Sequence, residues 1–275
     1  MMDERAHEGH EAVERDFLGF IGADAGLVLK GGTALKLCYG LDRYSEDLDF
    51  DAVSQRADTI GAVERFCADR GYECHVKKDT STVQRCTIHY SGVKPLKVET
   101  SYRRQSIDAD ELAIVGGIAT YKLDALALMK LSAFTGRDRI RDLHDVAFII
   151  EEHWGELSEQ TRNAFRYGLA SKGLEQFDLV LSDQIDDLID ADALALRFLR
   201  AYDKIGLLAS DQDERIGHHD ARSQSAPSLH SEAQLAKRAS DALVDRSPAE
   251  DARRAARSCE ARGSGSRGTS QPKAR

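Results

Sequence analysis

The stretch from Leu27 to Val53 constrains the fold more than any other part of the sequence. An apolar run ends at the pair Gly31-Gly32, and Thr33 follows, where its hydroxyl can cap the first turn of a helix. Gly40 then supplies the glycine with which helices commonly end. The pattern therefore predicts a strand, a glycine turn, a helix over 34–39 and, after a polar loop, a second strand.

The second strand carries acidic residues at alternate positions. Because successive side chains of a strand point to opposite faces, Leu48 and Phe50 are expected to enter a core. Asp47, Asp49 and Asp51 then share the other face. Carboxylates this close repel one another unless a cation lies between them, and hard divalent cations such as Mg²⁺ prefer such oxygen ligands. The alternation therefore favours a metal site.

The glycine pair supplies what an anionic ligand needs beside such a site. A helix N-terminus preceded by glycines allows backbone N–H groups to approach a phosphate closely. The sequence thus places a candidate phosphate-binding turn, Gly31-Gly32-Thr33, before a candidate metal-binding pair, Asp47-x-Asp49. The alternative interpretation is an ordinary tight turn followed by the solvated face of an amphipathic edge strand.

This ordered combination resembles the polymerase β-like nucleotidyltransferases. Within that group, the AbiEii/AbiGii-type toxin nucleotidyltransferases, which include the mycobacterial MenT toxins, have strings similar to KGGTAL at 30–35 and RYSEDLDF at 43–50. The resemblance implies an α+β fold. A polymerase β-like nucleotidyltransferase core, made of a mixed sheet with flanking helices, would be followed by a helical C-terminal domain.

The resemblance also implies a third carboxylate, on a strand beside the aspartate pair. The segment at 96–100 alternates apolar and polar residues, and Glu99 lies on its polar face. Glu99 is therefore the position that best matches the third metal ligand of the family. Its alternative interpretation is an exposed glutamate on an amphipathic strand.

Two later positions match the third and fourth motifs of the AbiEii-type toxins. They are the lysine of YKLDAL and the aspartate that follows arginine in RDLHD. The resemblance thereby implies functional roles for Lys122 and Asp142, with Asp145 as the alternate to Asp142. Lys130 and Asp138 do not match the pattern and are expected at the surface. The alternative is a salt-bridged helix pair without a catalytic role.

Together these matches imply a two-metal site that holds a nucleoside triphosphate (NTP) with two Mg²⁺ ions. The implied metal ligands are Asp47, Asp49 and Glu99. The implied nucleotide-binding residues are Gly31, Gly32, Thr33, Ser45 and Lys122. The implied catalytic residues are Asp47, Asp49, Glu99, Lys122 and Asp142. Asp142 would orient Lys122 or help to place the acceptor. A phosphate on Ser45 would add negative charge at the site, although Ser45 is equally well explained as a turn residue.

Turn glycines and composition divide the chain into three predicted parts. A nucleotidyltransferase core spans 1–115, a helical domain spans 116–209, and a low-complexity tail spans 210–275. The pair Gly116-Gly117 is predicted as a hinge or turn between the first two parts, with a helix over 118–134 after it. The tail lacks aromatic residues and is expected to be disordered, because it cannot bury enough apolar surface.

Composition limits the setting in which the protein works. The 275 residues include five cysteines, an odd number without a C-x-x-C pair, which suggests free thiols in a reducing cytoplasm. No apolar run is long enough to cross a membrane, and the first residues lack a hydrophobic signal region. The net charge of −9 means that any RNA-binding surface must be a local basic patch on an acidic body.

The resemblance implies a cytoplasmic nucleotidyltransferase toxin of a toxin–antitoxin or phage-defence (abortive-infection) system. Some members of that family add nucleotides to the 3′ end of tRNA, which blocks aminoacylation and translation. An antitoxin protein is the implied partner. Two alternatives stay open: a nucleotidyltransferase that modifies a protein or a small molecule, and a non-catalytic relative that only binds nucleotide or a partner.

Overall fold

The computed structural model of the protein describes residues 4–53, 57–92, 94–104 and 106–208. All of these residues belong to one compact unit, which spans residues 1–213. The tail predicted at 210–275 lies outside the described residues.

The order of elements follows the sequence patterns closely in the first half of the chain. The helices are α1 (Glu4–Ile21), α2 (Gly31–Tyr39), α3 (Thr59–Arg70), α4 (Leu123–Gly136), α5 (Ile140–His153), α6 (Glu159–Asp183) and α7 (Ala191–Lys204). The strands are β1 (Leu27–Lys30), β2 (Asp47–Ala52), β3 (Glu73–Asp79), β4 (Val83–His89), β5 (Leu96–Ser101), β6 (Leu112–Val115) and β7 (Ile118–Tyr121). Helix α6 is interrupted at Gly173, where φ is +71°.

The described strands form one mixed sheet in the order β3-β4-β5-β2-β1-β7-β6. Strand β2 pairs antiparallel with β1 and parallel with β5, so it lies near the centre of the sheet. Strands β3, β4 and β5 form an antiparallel meander on one side. The α+β class and the mixed sheet with flanking helices predicted from the sequence are therefore confirmed.

The segment after Gly116-Gly117 differs from the prediction. Both glycines have positive φ values, 57° and 83°, and they form the turn of a hairpin between β6 and β7. Residues 118–121 are therefore a strand that pairs with β1, and the predicted helix over 118–134 begins only at Leu123. The predicted hinge is a turn within the sheet, and the domain boundary proposed after residue 115 falls inside this hairpin.

Helices α1 and α3 cover one face of the meander. The fully buried side chains of Cys86, Ile88, Leu96 and Val98 point to this face, as the alternation of β4 and β5 requires. The opposite face carries polar side chains that stay partly exposed, such as Lys97 and Glu99. The core of the meander therefore lies on one side of the sheet, and the side chains of Asp47, Lys97 and Glu99 on the other side stay partly exposed.

The helices α4 to α7 continue the same hydrophobic core. Helix α4 packs on α2, and α5 packs between α4 and α7. An aromatic group of α6 and α7 closes this end of the core, with the rings of Phe177 and Phe198 stacked at a centroid distance of 4.2 Å. Among the described helices, none is both long enough and apolar enough to cross a membrane.

One carboxyl group, that of Glu14 on α1, lies in the core without a hydrogen-bond partner among the described residues, and its nearest basic group is His10, whose Nε2 lies 3.8 Å from Glu14 Oε1. The side chain of Glu14 is fully buried. Burial raises the pKa of Glu14 to about 8, and the nearby charges of Glu11 and Asp47 act in the same direction. Because the folded pKa exceeds the ordinary 4.5, the stabilising contribution is complete below about pH 4.5 and is lost as the pH rises through about 8.

Replacing Glu14 with glutamine should remove this pH dependence. Between about pH 5 and pH 9 the free energy of unfolding of the wild-type protein should fall by up to roughly 4 kcal/mol, since each pKa unit corresponds to about 1.4 kcal/mol. The Glu14→Gln variant should lose much less over the same range. Urea unfolding at both pH values measures the difference, and Glu8→Gln, on the exposed face of α1, is the matched control. Parallel pH profiles for Glu14→Gln and wild type would contradict the assignment.

Candidate active site

The glycine pair brings the start of helix α2 against the aspartate strand. Gly31 has a φ of +81°, and a Cβ there would lie 3.3 Å from Asp49 Oδ2. A Cβ on Gly32 would lie 2.7 Å from Ser45 Oγ and 3.1 Å from a guanidinium nitrogen of Arg43. Both positions therefore need glycine. Gly31, the first residue of α2, lies against the Asp49 carboxylate, and the first N–H groups of a helix have no partner within it.

The strand register brings the three predicted metal ligands to one small region of the sheet. Asp49 is paired directly with Glu99, and Asp47 directly with Lys97, across the parallel strands β2 and β5. Lys97 Nζ lies 3.0 Å from Asp47 Oδ2 and 4.0 Å from Glu99 Oε2. A single ammonium group therefore reaches two of the three carboxylates.

The third carboxylate is in a different environment. Glu99 also accepts a hydrogen bond from Arg85 Nε at 2.6 Å, but no described residue donates a hydrogen bond to Asp49. Burial raises the pKa of the Asp49 carboxyl above its ordinary value. Lys97 opposes this rise, whereas Asp47 and Glu99 add to it. Asp49 is thus a half-buried acid that lacks a compensating donor.

These side chains suit a divalent cation by their chemistry. Among the described residues, no three acidic, histidine or cysteine side chains come close enough together to hold a metal ion as they stand. Lys97 and Arg85 instead occupy oxygens of Asp47 and Glu99, so positively charged groups stand in at the position that the resemblance assigns to Mg²⁺. Three carboxylates on adjacent strands, one without a donor, fit the oxygen-rich coordination that Mg²⁺ prefers.

Asp51 shares the face of Asp47 and Asp49 but has a structural role. Its carboxylate is buried, accepting a hydrogen bond from Lys30 Nζ at 2.5 Å and another from the Tyr121 hydroxyl at 2.8 Å. Both oxygens are therefore already bound. This ion pair ties β1, β2 and β7 together beneath the glycine turn.

Thr33 is placed differently from the prediction. The residue that precedes helix α2 is Lys30, so Thr33 lies inside the first turn and does not cap it. Its buried hydroxyl lies 2.6 Å from the Asp47 carbonyl oxygen and 2.9 Å from Ser45 Oγ. Thr33 therefore joins the glycine turn to the start of β2, and its hydroxyl is bonded within the protein. Ser45 stands at the mouth of the turn, against Gly32.

A buried ion cluster lies directly behind this turn. Arg43 Nε and a terminal guanidinium nitrogen each donate to Asp145 at 2.8 Å, and Lys130 Nζ lies 2.6 Å from the same carboxylate. Asp145 is completely buried. Burial alone would raise the pKa of Asp145, but Lys130 and Arg43 hold it below its ordinary value. The prediction that Lys130 is a surface residue was wrong, since only 12% of its side chain is exposed.

The structure separates the other two predicted residues from each other. The carboxylate of Asp142 accepts two hydrogen bonds from Arg137, at 2.6 and 3.0 Å, and its described contacts do not include Lys122. Lys122 is exposed at the residue that precedes α4. Extending the parallel register of β1 and β7, in which Leu29 pairs with Thr120, puts Lys122 level with Gly31. The predicted contact in which Asp142 orients Lys122 is therefore not formed.

Sequence reasoning missed three charged residues around the site. Arg43 belongs to the RYSEDLDF string, but its partner Asp145 is 102 residues away in the chain. Lys97 shares the polar face of its strand with Glu99, so the alternation at 96–100 was the signal that a charged pair lies there. Lys130 falls on α4 between apolar residues, and a single lysine inside an apolar helix is a signal for a buried ion pair.

The comparisons with known proteins agree with this geometry. The family model described as "Nucleotidyl transferase AbiEii toxin, Type IV TA system" matches residues 15–259. That match includes the glycine turn, both acidic strands and the helices that carry Lys130 and Asp145. Among functionally curated proteins, none matches the chain.

Solved structures similar to this chain come from two bacteria. JHP933 from Helicobacter pylori has a TM-score of 0.62 and 28% identity, over 74% of this chain and 93% of its own. A second H. pylori protein, provisionally assigned as a nucleotidyltransferase, has a TM-score of 0.60 and 28% identity, over 79% of this chain and 100% of its own. MenT4, a nucleotidyltransferase toxin from Mycobacterium tuberculosis, has a TM-score of 0.48 and 16% identity, over 76% of this chain and 87% of its own.

Proposed function

Because the chain belongs to the AbiEii family of nucleotidyltransferase toxins, we propose that it transfers a nucleoside monophosphate from an NTP to the 3′ end of tRNA and so blocks translation. One observation carries the proposal: Asp49 lies beside Glu99 in register and against Gly31 at the start of helix α2. An anion-binding helix start thus meets a group of carboxylates, as triphosphate binding with a divalent cation requires.

The chain's own residues supply binding and orientation. The N–H groups at the start of α2 bind the triphosphate, and Gly31 and Gly32 allow it to approach the backbone closely. Asp47, Asp49 and Glu99 would hold two Mg²⁺ ions, which when bound activate the attacking hydroxyl and stabilise charge at the phosphates. The exposed Lys122, level with Gly31, adds a point charge for the β- or γ-phosphate.

Arg43 and Asp145 are the best supported residues for positioning the turn. A Cβ on Gly32 would lie 3.1 Å from a guanidinium nitrogen of Arg43, so the guanidinium contacts the phosphate-binding turn. Asp145 holds that guanidinium through two hydrogen bonds. We therefore favour Asp145, the alternate of the sequence analysis, over Asp142 as the acidic residue of the fourth motif that supports the site.

The open face of the β3–β5 meander is a candidate surface for the RNA acceptor. The register places Lys78, Arg85 and Glu99 in one row and His75, Thr87 and Lys97 in the next. The rings of His75 and His89 lie 4.2 Å apart, although Glu73 lies 3.9 Å from His75 at the edge. Cations attract phosphates and flat rings can stack with unpaired bases, so this face suits a single-stranded RNA end.

Reversing one charge on this face should weaken acceptor binding. Lys78 is exposed on β3, outside the contacts that hold the carboxylates, so Lys78→Glu should lower tRNA affinity about tenfold at low salt. The difference should shrink as salt rises, because the lost contact is to a phosphate. Filter binding against salt measures it, with NTP binding as the internal reference. Arg166→Glu, the same charge change on helix α6, is the control, and equal losses for both variants would count against this surface.

Incubation with labelled NTP, Mg²⁺ and a mixture of total tRNA and cell protein tests the proposed function. We expect label at the 3′ end of tRNA, in wild type and not in Asp49→Asn. Label on protein or a small molecule would favour the alternative acceptors, for which the acidic net charge of −9 is the one supporting observation. The toxin family implies a cognate antitoxin, and co-expression with adjacent genes from its operon should relieve growth arrest.

A further inference from the structure

Lys97 occupies a place that the chemistry above does not require. It lies on β5 between β4 and β2, anchored by the fully buried side chains of Leu96 and Val98 on either side. Its ammonium group is 3.0 Å from Asp47 and 4.0 Å from Glu99. One third of the side chain is exposed, so solvent can reach the group without surrounding it.

The Lys97–Asp47 contact is partly exposed, with 33% of Lys97 and 44% of Asp47 accessible, but it differs from an isolated surface ion pair in how its side chains are held. Exposed pairs contribute little because both side chains are free to move and the charges are screened. Here the strand register fixes the lysine beside Asp47, and Arg85 donates to Glu99 Oε2, the oxygen that also lies 4.0 Å from Lys97. The two cations therefore compensate two of the three carboxylates, and Asp49 alone lacks a donor among the described residues.

We propose that Lys97 is a built-in counter-cation of the metal-binding carboxylates, which a divalent cation must displace from Asp47 before the site can act. The lysine holds the carboxylates in place when no metal is bound, and it raises the concentration of divalent cation at which they bind metal. This inference rests on the proposed function, since it takes Asp47, Asp49 and Glu99 as the metal ligands.

Removing the charge of Lys97 should therefore raise the metal affinity, whereas removing a metal ligand would lower it. A unit charge 3.0 Å from the Asp47 carboxylate and 4.0 Å from that of Glu99 competes with a divalent cation for the same oxygens, which lowers the metal affinity by roughly tenfold at the dielectric of a partly exposed site. Lys97→Met should bind Mn²⁺ about tenfold more tightly than wild type. In the presence of a chelator the same variant should melt at a lower temperature, because the carboxylates have lost their counter-cation.

Mn²⁺ binding to the full-length protein, followed by electron paramagnetic resonance, tests this directly. Lys97→Arg keeps the charge and should bind Mn²⁺ like wild type, as should Lys94→Met, which removes a lysine that pairs with Glu46 instead. Lys97→Gln replaces the methionine variant if that variant does not fold. Unchanged or weaker Mn²⁺ binding by Lys97→Met would overturn the counter-cation role of Lys97 but not the proposed metal site. Mn²⁺ binding that Asp49→Asn does not reduce would overturn both this role and the proposed metal site.

Discussion

Asp49→Asn should abolish nucleotide transfer while leaving the protein at least as stable as wild type. The carboxylate is half-buried, no described residue donates to it, and burial raises its pKa, so the fold gains nothing from its charge. Catalysis depends on that charge to hold the divalent cation. We expect kcat/KM to fall by roughly a thousandfold or more, since several kcal/mol are lost and each 1.36 kcal/mol is tenfold. Labelled NTP turnover and thermal melting in chelator measure the two quantities.

Asp51→Asn is the matched control on the same strand face. Its carboxylate binds Lys30 and Tyr121, so this variant should lose stability and keep most of its activity. The two variants thus separate an acid kept for chemistry from an acid kept for the fold. Equal activity in both variants, or a large loss of stability in Asp49→Asn, would show that the assignment of these neighbouring aspartates is mistaken.

The first half of the fold could be predicted because its signals are local. The pair Gly31-Gly32, the glycine at 40 and the alternation from Asp47 to Asp51 each fix a backbone conformation within a few residues. The family resemblance then supplied Glu99, whose place beside Asp49 depends on the parallel pairing of two strands that are distant in sequence. The alternation of apolar and polar residues put Glu99 on the correct face of its strand, but only the pairing of β5 with β2 places it beside Asp49.

The errors arose where short elements allow two interpretations. Residues 118–121 read equally well as the start of an apolar helix or as a four-residue strand, and the choice is made by pairing with β1 and β6. The positive φ values of Gly116 and Gly117 are typical of a tight hairpin turn within the sheet, whereas the sequence predicted a hinge or turn between domains. Thr33 likewise satisfies a distant carbonyl instead of its own helix.

The buried ion cluster behind the turn was the least predictable feature. A lysine and an aspartate on two helices give no sign in the sequence that they meet an arginine from the loop before β2. The family pattern carries its functional aspartate over to Asp142, and helical spacing puts Asp145, the alternate, on the same stripe of the helix. Both carboxylates are buried, but Asp142 binds Arg137, whose side chain is 61% exposed, whereas Asp145 binds Arg43 and Lys130, whose side chains are 4% and 12% exposed. The burial of the partner cations, which spacing does not reveal, therefore distinguishes the two acids.

Asp145→Ala should therefore cause the largest loss of stability among substitutions near the site. It would leave Arg43 and Lys130 without their shared carboxylate, and breaking a buried ion pair by removing one partner costs about 3–5 kcal/mol. For a chain of this size the melting temperature should fall by roughly 10 °C. Transfer activity should also fall, because the released Arg43 guanidinium contacts the phosphate-binding turn at Gly32. Calorimetry and denaturant unfolding measure the loss.

Asp142→Ala is the control, because it removes an acid from the same helix. Asp142 is itself buried, but its partner Arg137 is 61% exposed and water can solvate the charge left behind, so the variant should lose only about 2 kcal/mol. Adding Lys130→Met to Asp145→Ala should recover part of the lost stability, because one of the two uncompensated cations is then gone. A larger loss for Asp142→Ala than for Asp145→Ala would restore Asp142 as the acid on which the site depends. Failure of Lys130→Met to recover stability would mean that the loss comes from a packing defect instead of unpaired charge.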